Sequence, residues 1–152
     1  MTKRAIFFMF VMAATGVPLL TAQSNEVLDA VLGEARLTYG HAAYLVGTAS
    51  GHLPETTALA EAGPNLEQSG MGMPNLQPSD PVTLGDFSYM LTRAFGIHAG
   101  IMSAVLPGPR YSTRDLIYLG MISGPAKPGM SLSGERALRI LEQVLHSKEA
   151  AQ

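Results

Sequence analysis

The densest group of polar and aromatic side chains follows the helix-breaking run at 106–109. Two arginines four residues apart, Arg110 and Arg114, could together bind a carboxylate or a phosphate, because guanidinium groups pair well with both. Tyr111 could stack on the face of a sugar ring, and Asp115 completes the group. These four residues form the predicted ligand-binding site. The alternative is that the arginines are solvated and that Asp115 stabilises the N-terminus of its own helix.

Residues suited to catalysis or metal binding are not grouped in this way. The four histidines have no pair at a metal-ligand spacing, and no cysteine is present to supply a thiolate or a disulfide. The acidic residues are spread along the sequence, and neither a nucleophile beside a base nor a Gly-x-Ser-x-Gly motif occurs. The sequence therefore predicts no enzyme activity, no cofactor and no metal site.

The N-terminus has the pattern of a secretory signal peptide over residues 1–22. Lys3 and Arg4 precede an apolar run from Ala5 to Val17, and the small residues around Ala22 suit cleavage before Gln23. The run is shorter than the roughly 20 apolar residues that cross a bilayer. We therefore expect export to the periplasm or the cell surface, with membrane attachment only if the signal peptide stays uncleaved.

Residues 23–152 are enough for one domain of about 130 residues. Removing the signal peptide leaves 8 basic against 12 acidic residues, a net charge of about −4 with neutral histidines. Nucleic-acid binding needs a clustered excess of Lys and Arg, and no such stripe occurs. The length and composition therefore predict one domain with no nucleic-acid partner.

Three segments of this domain resemble one another, at offsets of 45 and 50 residues. Each has an apolar residue, then Thr or Ser, then an apolar stripe at helical spacing. The hydroxyl group can cap the first turn, and the preceding apolar residue can pack against the one five positions later. The segments begin Leu37-Thr38-Tyr39-Gly40-His41, Val82-Thr83-Leu84-Gly85-Asp86 and Leu132-Ser133-Gly134-Glu135-Arg136.

A shorter helix is expected before each capped helix, so the fold class is all-α. The prediction is a compact bundle of three pseudo-repeated helix–loop–helix units, at about 25–51, 55–96 and 112–146. Gly51 and Gly96 suit the C-terminal caps of the first two capped helices. The shorter helices are predicted at Asn25–Ala35, Glu55–Ala62 and Asp115–Leu119, the last capped by Ser112 or Thr113, with an extra helix at Ala99–Val105.

This pattern of a leading helix, a Gly/Pro-rich loop and a Thr-capped helix resembles the S-layer homology family. The resemblance covers roughly Asn25 to Leu145 and implies a three-repeat helical fold and non-catalytic attachment to a bacterial cell-wall glycan. The family's helix start reads Thr-Arg-Ala-Glu, and the arginine is absent from all three segments here, where Tyr39, Leu84 and Gly134 follow the hydroxyl residue. Thr113-Arg114-Asp115 is closer to the motif but belongs to a leading helix.

Two functions follow from these observations. The first is a module that binds cell-wall glycan or a peptidoglycan-linked polymer. The alternative, favoured by the missing arginines, is a protein–protein adaptor or structural component of an envelope assembly in which the glycan site is lost. A small hydrolase is a third hypothesis, which would need two carboxylates facing each other. Glycines at the helix starts, Gly40, Gly85 and Gly134, could admit an anion to free amides or allow close packing.

Overall fold

A computed structural model describes residues 19–151, and these residues form an all-α fold. Within them there are seven helices and no strand, apart from two isolated bridges, as the all-α prediction requires. The predicted signal peptide lies outside the described residues except for its last four, 19–22, which form the start of α1. The helices are α1 Leu19–Gly33, α2 Tyr39–Ala49, α3 Leu59–Gln68, α4 Leu84–Phe95, α5 Ile101–Val105, α6 Pro109–Tyr118 and α7 Gly134–Ala150.

The Thr or Ser residue of each of the three similar segments lies at the start of a helix. Thr38, Thr83 and Ser133 are the N-cap residues of α2, α4 and α7, with extended backbone before the first helical turn. Gly96 ends α4 in the left-handed conformation at φ 61°. Gly51 follows the end of α2 with φ 75°. These positions favour glycine because a Cβ is strained there.

All four shorter helices differ from their predicted bounds. Helix α1 runs from Leu19 to Gly33 where Asn25–Ala35 is predicted, and α5 starts at Ile101, two residues later than predicted. The helix predicted at Glu55–Ala62 starts four residues later, at Leu59, and runs through Gly63 and Pro64 to Gln68. Ala62 and Leu66 of this helix are fully buried, so its apolar face stabilises the turn that Pro64 would otherwise interrupt. Helix α6 starts at Pro109, six residues earlier than predicted, because Pro109 occupies the first helical position, where its missing amide costs nothing.

The three capped helices start beside one another. The amide of Val82 donates to the carbonyl of Leu37 at 2.9 Å, and the amide of Leu37 donates to the carbonyl of Leu132 at 2.7 Å. All three side chains are buried. The segments that precede α2, α4 and α7 therefore meet at the centre of one core, although 45 or more residues separate them in the sequence.

Each capped helix packs chiefly against a helix outside its predicted unit. Helix α2 packs on α3, α4 packs on α6, and α7 packs on α1. In the first two pairs the partner is the shorter helix that comes later in the sequence. In the third pair it is the first helix of the chain, so the two ends of the domain meet. The predicted segments are therefore not self-contained helical hairpins.

Candidate functional site

The exposed face of α6 carries two of the four predicted site residues. Gly108 is the N-cap of this helix, and Pro109 fixes its first turn. Arg110 and Arg114 are both exposed and lie one turn apart on this face. Tyr118, one further turn along, is 81% exposed. A line of two guanidinium groups and a phenol thus faces solvent.

The other two predicted residues face differently. Tyr111 is half-buried. Asp115 is only 8% exposed, and its carboxylate accepts the amide of Ala99 at 3.3 Å. Asp115 lies in the second half of α6, so it anchors the connection between α4 and α5 and does not act on the N-terminus of its own helix. The structure thus brings Arg110 and Arg114 together and separates both from Asp115.

Ser112 and Thr113 are buried inside α6, not at its start. The Thr113 hydroxyl donates to the carbonyl of Pro109 at 2.8 Å, and the Ser112 hydroxyl accepts from that of Thr92 at 2.8 Å. Their expected role as N-caps is wrong, because the helix has already begun at Pro109. The bond from Thr92 to Ser112 joins α4 to α6 and helps to fix which face of α6 points outward.

The residues at the motif's arginine positions are buried and serve packing. Tyr39 and Leu84 have no exposed surface, and Gly134 is buried. The Tyr39 hydroxyl donates to Glu67 at 3.1 Å and accepts the amide of Met73 at 2.8 Å. Burial is the main reason why the pKa of Tyr39 rises to about 12, and the acceptor Glu67 adds to it. No cationic side chain occupies these positions.

The glycines at the helix starts are also used for packing. The amide of Gly40 donates to the carbonyl of Pro78 at 2.8 Å, and that of Gly85 to the carbonyl of Pro128 at 2.7 Å. A Cβ on Gly85 would lie 2.9 Å from the same Pro128 oxygen. Because neighbouring chain already occupies these amides, the alternative in which they bind an anion is wrong.

The residue at the third position of each capped helix is of a different type, so the charge near the three helix starts also differs. Asp86 accepts from the Thr83 amide at 2.9 Å and hydroxyl at 2.7 Å. Its counterpart in α7, Arg136, donates to the carbonyl of Pro125 at 2.6 Å. Its counterpart in α2, His41, lies 2.8 Å from Glu34, which itself accepts the Thr38 amide at 3.0 Å. Asp86 and Arg136 thus bind backbone directly, and His41 contacts the Glu34 carboxylate that does so.

Grooves outside α6 offer little chemistry. One of about 350 Å³ lies between α1 and the connection from α2 to α3, with Glu26, His41 and Thr57 among its lining residues. Over residues 19–151 no three His, Cys, Asp or Glu side chains come close enough to hold a metal ion. In the same part of the chain, no helix is both long and apolar enough to cross a membrane.

Sequence reasoning missed Tyr118 and placed Tyr111 in its role. Both tyrosines lie near the arginines in the sequence, but only the register of α6 decides which one shares their face. With the helix starting at Pro109, the spacing of four from Arg110 to Arg114 extends to Tyr118.

Comparison with protein-family models, curated proteins and solved structures finds no significant match to this chain.

Proposed function

We propose that the chain is an exported, non-catalytic envelope protein that binds an anionic cell-wall glycan through the exposed face of α6. The observation that carries the proposal is the line of Arg110, Arg114 and Tyr118 on one solvent-exposed face. Two guanidinium groups one turn apart can share a carboxylate or phosphate of the polymer. The tyrosine ring adjoining them provides an apolar face for a sugar ring.

An architecture like that of the S-layer homology family is part of the same proposal. It is supported by the three hydroxyl-bearing N-caps and by the junction where the segments before α2, α4 and α7 meet. It is also supported by the contact between α7 and α1, which packs the last helix of the chain against the first. The glycan site would differ from the family's usual one, since it lies on α6 and not at the starts of the capped helices.

Co-sedimentation with purified peptidoglycan tests this function. We expect the protein to pellet with the polymer, and Arg110→Ala with Arg114→Ala to weaken its apparent affinity by roughly tenfold or more, since hydrogen bonds to charged groups are the strong ones. Arg139→Ala is the matched control, because Arg139 is also solvent-exposed but lies on α7, where it pairs with Glu135. Equal retention of the double variant and the control would remove the proposed site.

The adaptor remains a second candidate because of what occupies the motif's arginine positions. Tyr39, Leu84 and Gly134 are all buried there and offer no charge to a glycan. This function predicts no pelleting with purified peptidoglycan, together with specific cross-links to one envelope protein in whole cells. Pelleting that depends on Arg110 and Arg114 would exclude it as the sole function.

A further inference from the structure

Helix α5 presents apolar side chains to solvent. Ile101 is 82% exposed and Val105 66%, and Met102 and Leu106 are each more than half exposed. Ser103 is the buried residue of this short helix, and its hydroxyl donates to the carbonyl of Gly100 at 2.8 Å. A group of large aliphatic side chains exposed together on one element is typical of a surface that binds a protein, a membrane or a ligand.

The end of α6, the helix on which α5 packs, also exposes apolar side chains. Helix α5 packs against α6, and Asp115 fixes the approach to α5 through the Ala99 amide. Ile117, Tyr118 and Leu119 are exposed at the end of α6. We call the exposed side chains of α5, together with Leu106 and these three, the α5–α6 surface.

The charge beside this surface is positive in a protein that is otherwise acidic. From position 93 to position 114 the chain has three arginines and no Asp or Glu. Arg110 and Arg114 are exposed on α6 beside this surface, whereas Arg93, also exposed, lies on α4 and donates to the Gly70 carbonyl at 3.3 Å. After residue 22 the chain as a whole has 12 acidic against 8 basic residues. A partner with negative charge and an apolar layer beneath it complements this combination.

We propose that the α5–α6 surface docks onto a bilayer containing anionic phospholipid. The exposed aliphatic side chains of α5 would enter the boundary between headgroups and acyl chains, with Tyr118 at headgroup depth. Arg110 and Arg114 would face the lipid phosphates. This contact shares Arg110, Arg114 and Tyr118 with the proposed glycan site, and it differs from glycan binding in needing the exposed side chains of α5.

The observations favour a bilayer over a protein partner. In a two-fold contact between copies this surface would meet itself, bringing arginines together with no acidic residue in 93–114 to offset them. A stable protein interface also involves about 20–30 residues on each side, and the exposed apolar side chains here come from one five-residue helix and one helix end. A bilayer needs no matching shape.

A tryptophan placed on α5 tests the contact in the full chain. The protein has no tryptophan, so Val105→Trp gives a single fluorescence reporter at an exposed position. Gln143→Trp, exposed on α7, is the control. The readout is the emission wavelength of the tryptophan at position 105, and not the fraction of protein bound to vesicles. The apolar run at 5–17 could also hold the chain on vesicles, so binding alone would not identify this contact.

We expect emission from position 105 to shift to shorter wavelength with vesicles of phosphatidylcholine and phosphatidylglycerol, but not with phosphatidylcholine alone. Adding Ile101→Asp should abolish the shift. Replacing Arg110 and Arg114 by Gln should raise the lipid concentration needed by roughly tenfold or more, as each basic residue near an anionic surface contributes about fivefold. Circular dichroism checks that each variant folds, and Met102→Trp replaces the reporter if Val105→Trp does not.

Several results would overturn the proposal. The first is no shift at position 105 with the anionic vesicles, and the second is an equal shift with neutral ones or at position 143. A third is short-wavelength emission already in buffer, which would mean that this surface is covered by another part of the chain or, if it rises with protein concentration, by a second copy. Ile101→Asp should leave peptidoglycan retention unchanged, so failure of this proposal and failure of glycan binding are distinguishable.

Discussion

At the scale of single residues, Tyr39 shows how one core side chain can connect distant segments of the chain. It follows Thr38, the N-cap of α2. Here its ring packs against Gly63, where a Cβ would lie 2.6 Å from the ring. Its hydroxyl group joins Glu67 to the backbone of Met73. The sequence contains no local signal for these partners, because they lie 24 to 34 residues away.

The pKa of Tyr39 predicts a loss of stability at alkaline pH. In the folded chain this pKa is about 12, against 10.0 for the unperturbed group. Between these values the unfolded chain releases the phenolic proton and the folded chain keeps it, so the free energy of unfolding falls as pH rises. We expect Tyr39→Phe to flatten this fall, and to lower stability at neutral pH by about 1–2 kcal/mol through its lost hydrogen bonds.

Urea unfolding of both proteins at a series of pH values from neutral to alkaline measures this effect. The difference between the two stabilities is the quantity of interest, because burial also raises the pKa of Tyr44, a contribution that both proteins share. If the two curves stay parallel up to pH 12, Tyr39 does not hold its proton more tightly in the folded chain.

At the scale of elements, the hydroxyl N-caps were the most readable feature of the sequence. The type of residue and the helical spacing after it are enough to place the starts of α2, α4 and α7. The predicted start of α6 is wrong because Ser112 and Thr113 are of the residue types that cap helices, whereas Pro109 determines where this helix begins. The extent of α3 was misjudged for a related reason, since burial of its apolar face outweighed a local breaker, Pro64.

The cap of α4 has the most complete set of bonds of the three. The Thr83 hydroxyl accepts the Asp86 amide, and the Asp86 carboxylate accepts the Thr83 amide. We expect Thr83→Ala to lower the free energy of unfolding by about 1 kcal/mol, typical of a lost N-cap. Thr83→Ser keeps the hydroxyl group and is the control.

Chemical denaturation of the two variants decides whether the hydroxyl group matters. Thr38→Ala is an informative comparison, because the Thr38 side chain makes no capping bond to its own helix and donates to Glu34 instead. Equal stability of Thr83→Ala and Thr83→Ser would mean that the hydroxyl contributes nothing and that the carboxylate of Asp86 alone stabilises this helix start.

At the scale of the whole molecule, the pairing of helices could not be read from the sequence. An amphipathic stripe shows that a helix has a buried face but not which neighbour covers it. Here each capped helix is covered by a helix from outside its own segment, and α7 returns to α1. The same arrangement leaves α5 at the periphery with its apolar side chains exposed. The exposed α5–α6 surface is thus a consequence of the packing order.

The contact between α7 and α1 depends on one missing side chain. The Gly134 amide donates to the carbonyl of Glu34 at 2.9 Å, and a Cβ at Gly134 would collide with the backbone carbonyl of Val31. The Val31 carbonyl cannot move away from this Cβ as the end of a flexible side chain could. Gly134→Ala should therefore push α1 from α7 and lower the free energy of unfolding by about 1–3 kcal/mol, the usual cost of overpacking.

Gly129→Ala is the matched control, because a Cβ there meets nothing within 4 Å. That variant should be neutral or slightly stabilising, since it restricts only the unfolded chain. Denaturation midpoints compare the two proteins, and limited proteolysis should show earlier cleavage within α1 in Gly134→Ala alone. If the two variants were equally stable, the junction between the ends of the domain would be loose enough to accept a methyl group, and the contact between α7 and α1 would not contribute to stability as inferred.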